Sequence, residues 1–101
     1  RPTLAEGASI AQPVRGREVL AALRRSGGGT VAVSEESIEA ALMELARSGL
    51  YVEPTCAMAA AALTDLTARG AIRPEETTVV VLTGTGIKAT PRIAELLGLA
   101  P

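Results

Sequence analysis

The sequence predicts a small α/β domain in which Ala-rich helices flank a parallel sheet in a three-layer arrangement. Helix and strand patterns alternate along the 101 residues with short connections, which is typical of parallel sheets with right-handed crossovers. Ala, Leu, Val and Gly dominate, and Tyr51 is the only aromatic residue. Small side chains let helices lie close to a sheet. A chain of this length has room for one core, so residues 1–101 are expected to form a single α/β unit.

The first half predicts two helices separated by a strand. Segment 17–25 places Val19, Leu20 and Leu23 on one helical face and is followed by three glycines. Segment 30–33 then has the pattern of a short buried strand. Ser34 is a favourable N-cap for the second helix, and Gly49 is expected to end that helix.

The second half begins with a brief extended run, 50–52, and continues into a long helix. This helix is predicted over 55–69 and is rich in Ala and Leu. Asp65 and Arg69 are spaced for an i,i+4 ion pair, worth only a few tenths of a kcal/mol. Gly70 is the predicted end of the helix.

The strongest strand pattern, 77–82, runs into Thr83-Gly84-Thr85-Gly86-Ile87-Lys88. Such a junction presents a hydroxyl group and several backbone N–H groups at the carboxyl edge of a sheet, where open α/β sheets bind ligands. A tight strand-to-helix turn without a ligand fits the local pattern equally well. Thr90-Pro91 then predicts the start of a short last helix.

Composition argues against several functional classes. A net charge of -1 with no long basic cluster gives no surface typical of nucleic-acid binding. One cysteine and no histidine leave no internal disulfide, no zinc cluster and no His general base. The cysteine usage favours a reducing, cytoplasmic compartment. No apolar run is long enough to predict a membrane span or a signal peptide.

Single motifs leave their chemistry open. Residues 84–89 match G-x-G-x-x-A, but the helix start at Thr90 comes too late for a dinucleotide site. Lys88, the only lysine, is interpreted as a solvated or phosphate-facing charge rather than a Schiff-base residue. Cys56 is interpreted as a buried, inert thiol. Glu53 precedes a proline at a helix start, where a structural role is at least as plausible as a catalytic one.

Four motifs taken together carry a more specific signal. They are Thr3-Leu4-Ala5-Glu6-Gly7, Gln12-Pro13-Val14-Arg15-Gly16, Val52-Glu53-Pro54-Thr55-Cys56-Ala57 and Val81-Leu82-Thr83-Gly84-Thr85-Gly86-Ile87-Lys88. In order and spacing they resemble the carboxyl-terminal part of the threonine synthases, in the fold type II (tryptophan synthase β-like) family of pyridoxal phosphate enzymes. The resemblance implies that the chain is part of the large domain of such an enzyme.

The resemblance also implies a set of cofactor-binding residues for pyridoxal 5'-phosphate. Thr83 matches the residue whose hydroxyl hydrogen-bonds the pyridine nitrogen, and Gly84 and Gly86 would let the backbone pass close to the ring. Glu6-Gly7 matches an acidic-Gly pair whose backbone lies near the cofactor face, which makes Gly7 a candidate cofactor-binding residue, and Glu53 matches a glutamate close to the site. A neutral hydroxyl makes the ring a weaker electron sink than a carboxylate would, which suits elimination and replacement reactions.

The implied reaction of the whole enzyme converts O-phosphohomoserine and water to threonine and phosphate. In the family the Schiff-base lysine and the cofactor's phosphate loop precede the matched region. Residues 1–101 would therefore be an inactive carboxyl-terminal fragment of an enzyme expected to be a cytoplasmic homodimer. Thr55-Cys56, Thr85, Ile87 and Ala89 depart from the usual pattern and leave the substrate open.

Two alternatives remain from the sequence. The chain could belong to a related fold type II enzyme, such as a serine or threonine dehydratase or a cysteate-forming synthase. It could also be a non-catalytic α/β binding or assembly module.

Overall fold

The computed structural model of the chain describes residues 2–99, and helices are its regular elements. The α-helices are α1 (Gly16–Ser26), α2 (Glu35–Arg47), α3 (Pro54–Ala68) and α4 (Thr90–Leu96), and short 3₁₀-helices lie at Glu6–Ala8 and Gly86–Ala89. None of the helices in the described part combines the length and apolar character needed to cross a membrane.

The predicted helices are confirmed, and local chemistry explains their ends. The Ser34 side chain accepts a hydrogen bond from the backbone N–H of Ser37 at 3.1 Å, which caps α2. Gly49 and Gly70 follow α2 and α3 with φ of +87° and +71°, a backbone region that glycine enters without steric cost. The predicted ion pair on α3 forms, with Arg69 Nη2 and Asp65 Oδ2 2.9 Å apart.

The predicted strands differ from the structure. Among residues 2–99, segments 30–33 and 77–82 form no strand ladder, and the extended run 50–52 contributes one isolated antiparallel bridge between Val52 and Thr85. A helix satisfies its backbone hydrogen bonds internally, whereas a strand needs a neighbour to satisfy them. The described residues bring no such neighbour to 30–33 or 77–82, so the predicted parallel sheet is not formed within them.

The core lies mainly between α2 and α3. Small residues at the contact let the two helix backbones approach closely. The buried apolar residues are Leu4, Ala5, Ile38, Ala41, Leu42, Val52, Cys56, Ala57, Ala61 and Ile93. This core ties the amino-terminal segment, the start of α3 and α4 into one body, and so fixes the surroundings of the predicted site.

Other apolar side chains stay uncovered. Val79 and Val81 of the predicted strand are 82% and 68% exposed. Helix α1 buries none of its residues, and Val19 and Leu20 on its apolar face are more than half exposed. The pattern on α1 is amphipathic as predicted, but the described residues bury no side chain of its apolar face.

Candidate functional site

The start of α3 is where the predicted site residues meet. Two short segments, 51–53 and 84–86, lie next to it and run antiparallel to each other. The backbone N–H of Glu53 donates to the carbonyl of Gly84 at 3.2 Å, and the N–H of Gly86 donates to the carbonyl of Tyr51 at 3.0 Å. These bonds flank the bridge between Val52 and Thr85. The loop after the predicted strand is therefore fixed against the residues that open α3.

Cys56 lies at the centre of this junction. The N–H of Gly84 donates to Cys56 Sγ at 2.9 Å, and Sγ lies 3.4 Å from Thr83 Oγ1 and 3.9 Å from Glu53 Oε1. Cys56 is buried, which agrees with the sequence-based interpretation. Its contact with the 83–84 loop was not predicted, because no local pattern links residues 27 and 28 positions apart.

Thr83 presents an available hydroxyl group. The residue is exposed, and its Oγ1 contacts the Cys56 thiol. A hydroxyl carries one donor and two acceptor positions, so this contact leaves hydrogen-bonding capacity on the solvent side.

Gly84 allows a close approach by the Glu53 side chain, and its φ angle is not in the positive region. A Cβ atom placed on Gly84 would overlap the carboxyl group of Glu53. Glu53 itself is half-buried and precedes Pro54 at the first turn of α3. The absent side chain of Gly84 thus gives the Glu53 carboxylate its place beside the loop.

Gly7 reaches the same helix start from the amino-terminal segment. Its N–H donates to Thr55 Oγ1 at 3.1 Å, and a Cβ on Gly7 would lie 2.8 Å from that oxygen. The segment is anchored further back by Glu35, which accepts from Thr3 Oγ1 at 2.5 Å and from the Leu4 N–H at 2.8 Å. Glu35 is thus a link between α2 and the segment that carries Gly7.

A cavity of about 270 Å³ opens beside these residues. Gly7 and Glu53 line it, whereas Thr83 and Gly84 lie outside its lining and contact Glu53 and Cys56 instead. The wall is completed by Leu4, Glu6, Pro54, Thr55, Lys88, Ala89, Pro91 and Arg92. The structure therefore gathers all four predicted residues around positions 53–56. Nowhere in residues 2–99 do three His, Cys, Asp or Glu side chains come together as a metal site.

Comparison with known proteins identifies the family. A family model described as pyridoxal-phosphate dependent enzyme matches residues 1–84. The chain belongs to this family. It is 41% identical over 83 residues to a threonine synthase of Methanosarcina acetivorans, covering 81% of the chain and 20% of that protein. It is 39% identical over 87 residues to a threonine synthase of Methanocaldococcus jannaschii, covering 85% of the chain and 22% of that protein.

The comparisons confirm the predicted resemblance and the predicted cofactor, pyridoxal phosphate, for the full-length enzyme. The chain spans about a fifth of the length of the curated relatives it matches. The roles of Thr83, Gly84, Gly7 and Glu53 toward the cofactor stay predictions.

Proposed function

We propose that the chain is the carboxyl-terminal part of a threonine synthase-like lyase, and that the whole enzyme converts O-phosphohomoserine and water to threonine and phosphate. Two relatives with this name, each about 40% identical over most of the chain, support the proposal. The structural observation that carries it is the attachment of the Thr83-Gly84 loop to the start of α3. Hydrogen bonds to Cys56 and Glu53 hold this loop while the Thr83 side chain stays exposed.

The loop fits the ring end of pyridoxal phosphate. An exposed hydroxyl with spare hydrogen-bonding capacity suits a pyridine nitrogen. The absence of a side chain on Gly84 lets the Glu53 carboxyl lie against the loop next to this hydroxyl. When bound, the cofactor withdraws electrons from the α carbon of an amino-acid substrate. A neutral partner such as Thr83 does not favour protonation of the nitrogen, so the withdrawal is moderate, which suits chemistry at the β or γ carbon.

Glu53 and Gly7 form the remaining part of the proposed cofactor site. Glu53 is oriented by its contact with Gly84 and lines the cavity. Gly7 is held at the cavity wall by Thr55. We propose that the backbone of Gly7 passes beside the cofactor. The carboxylate of Glu53 is proposed to hold the same wall of the site in place.

The proposal extends to the fold of the whole enzyme. We infer that segment 77–82 pairs with further strands in the parallel sheet of the large domain, since Val79 and Val81 are exposed and the segment forms no ladder here. The enzyme is proposed to be a cytoplasmic homodimer. Lys88 is not assigned the Schiff-base role, so residues 1–101 alone are expected to be inactive.

Product analysis on the full-length protein tests the reaction. We expect release of phosphate from O-phosphohomoserine with formation of threonine in equal amount. Absence of both products would overturn the proposal. Deamination of serine or threonine to a keto acid, without phosphate release, would favour a dehydratase instead. The isolated chain 1–101, assayed in parallel, is expected to release no phosphate.

A further inference from the structure

Charges of both signs meet at the cavity beside α3. Two acidic residues, Glu6 and Glu53, and two basic residues, Lys88 and Arg92, line its space of about 270 Å³. A phosphorylated amino acid carries an ammonium, a carboxylate and a phosphate group. A small cavity with both signs of charge offers an opposite charge to the cationic group and to an anionic group of such a molecule.

The two cations differ in their availability. Arg92 is engaged within its own helix, with Nη1 2.6 Å from Glu95 Oε2. Lys88 takes part in none of the ion pairs formed among residues 2–99. The acidic residues at the cavity would repel a phosphate near them but attract an ammonium group. Of the two cations, Lys88 is thus the one with no ion-pair partner among residues 2–99.

The backbone under Lys88 is fixed although its side chain is exposed. Lys88 belongs to the 3₁₀-helix Gly86–Ala89, whose first N–H donates to the Tyr51 carbonyl at 3.0 Å. The hydroxyl of Thr90 donates to the carbonyl of Ile87 at 3.0 Å and lies 2.8 Å from the Tyr51 hydroxyl. Because the backbone of this turn is already fixed, binding an anion would cost only the conformational entropy of the Lys88 side chain.

We propose that Lys88 binds the phosphate group of the amino-acid substrate at this cavity. The inference rests on the proposed function and adds to it a residue that determines substrate specificity. The ammonium group offers three N–H donors to phosphate oxygens. Thr55, whose oxygen accepts the N–H of Gly7, has its own O–H available as a further donor at the same wall.

Steady-state kinetics of the full-length enzyme, loaded with cofactor, tests the assignment. K88M is expected to raise KM for O-phosphohomoserine about tenfold, the size of one lost charge-assisted hydrogen bond in a partly open site. K88R keeps the charge and is expected to recover most of the affinity. R24Q removes a cation from the exposed end of α1, outside the cavity, and is the matched control with unchanged KM.

A second readout does not depend on turnover. Acetylation of Lys88, followed by peptide mass spectrometry, is expected to slow when inorganic phosphate is added and to stay unchanged with chloride at equal ionic strength. If the wild-type enzyme is active and K88M leaves KM unchanged, this inference alone is overturned. The same holds if the wild-type enzyme is active and phosphate does not slow the acetylation of Lys88. A wild-type enzyme that releases no phosphate would overturn the proposed function and the substrate assignment with it. Weaker cofactor binding by K88M at unchanged KM would place Lys88 at the cofactor's phosphate and also contradict the inference.

Discussion

The backbone N–H of Gly84 donates to the Sγ atom of Cys56 across 2.9 Å. This bond joins the loop that follows the 77–82 segment to the buried first turns of α3. The same sulfur lies 3.4 Å from Thr83 Oγ1, so one thiol contacts both residues proposed to meet the cofactor ring. Cys56 is thus placed to position the loop.

Replacing Cys56 tests this positioning role. Cys56→Ala leaves the part-buried Gly84 N–H without its acceptor, at a cost of about 1 kcal/mol, the lower end of the range for a fully buried, unsatisfied donor. We expect faster hydrogen–deuterium exchange in the peptide that contains residues 83–85 of the full-length protein. Cys56→Ser keeps an acceptor at the position and is the matched control. Equal exchange in wild type and Cys56→Ala would show that the thiol does not hold the loop.

The contact between Gly84 and Glu53 predicts an effect on the cofactor site rather than on the core. In Gly84→Ala the new methyl group displaces the Glu53 carboxyl, a flexible side-chain end that can move at low cost. We expect little loss of stability and about tenfold weaker cofactor binding, since the wall of the site is rearranged. Titration of the apoenzyme with pyridoxal phosphate measures this. In a Glu53→Ala background, the additional Gly84→Ala change should leave the affinity for pyridoxal phosphate unchanged. Additive effects of the two changes on this affinity would contradict the contact.

Replacing Gly86 is expected to affect the stability of the protein more than its cofactor binding. A Cβ on Gly86 would lie 2.8–2.9 Å from the Tyr51 ring, which is rigid and hydrogen-bonded to Thr90. Gly86→Ala should destabilise the protein by about 1–3 kcal/mol through overpacking. The cost should fall in a Tyr51→Ala background, where the ring is absent. A double-mutant cycle in urea measures the coupling, and a coupling energy near zero would contradict the proposed packing.

Exposed apolar residues predict self-association of the isolated chain. Val79 and Val81 lie uncovered on a segment that forms no ladder, which is a template for pairing between copies. Light scattering should detect oligomers of residues 1–101, and Val79→Lys with Val81→Lys should reduce them. Ala11→Lys with Gln12→Lys adds the same charge at exposed positions elsewhere and should not. A monodisperse monomer of the unchanged chain at high concentration would contradict this prediction.

Local sequence signals were sufficient for the helices and insufficient for the strands. Ser34, Gly49 and Gly70 mark helix ends because capping and left-handed backbone are local properties. Segments 30–33 and 77–82 carry strand patterns equally clearly, but a strand forms only when a neighbour pairs with it. The pattern specifies which residues are suited to a strand and does not supply the partner.

The site was only partly predictable for a related reason. Resemblance to a family predicts Thr83, Gly84, Gly7 and Glu53, and the structure places them around the start of α3. The contacts that gather them join residues 27 to 48 positions apart in the chain. No periodicity or local motif encodes such contacts, so Cys56 and Thr55 emerged as supports only from the fold.

The most direct test of the central claim is the visible absorbance spectrum of the full-length protein and two Thr83 variants, purified without added cofactor. We expect the wild type and Thr83→Ser to be coloured by bound pyridoxal phosphate with the same spectrum. Thr83→Val, which removes the hydroxyl at similar volume, should show an altered spectrum and about tenfold or greater loss of kcat. A Thr83→Val protein with wild-type spectrum and activity, or a wild type that stays colourless after pyridoxal phosphate is added, would contradict the claim that Thr83 meets the cofactor.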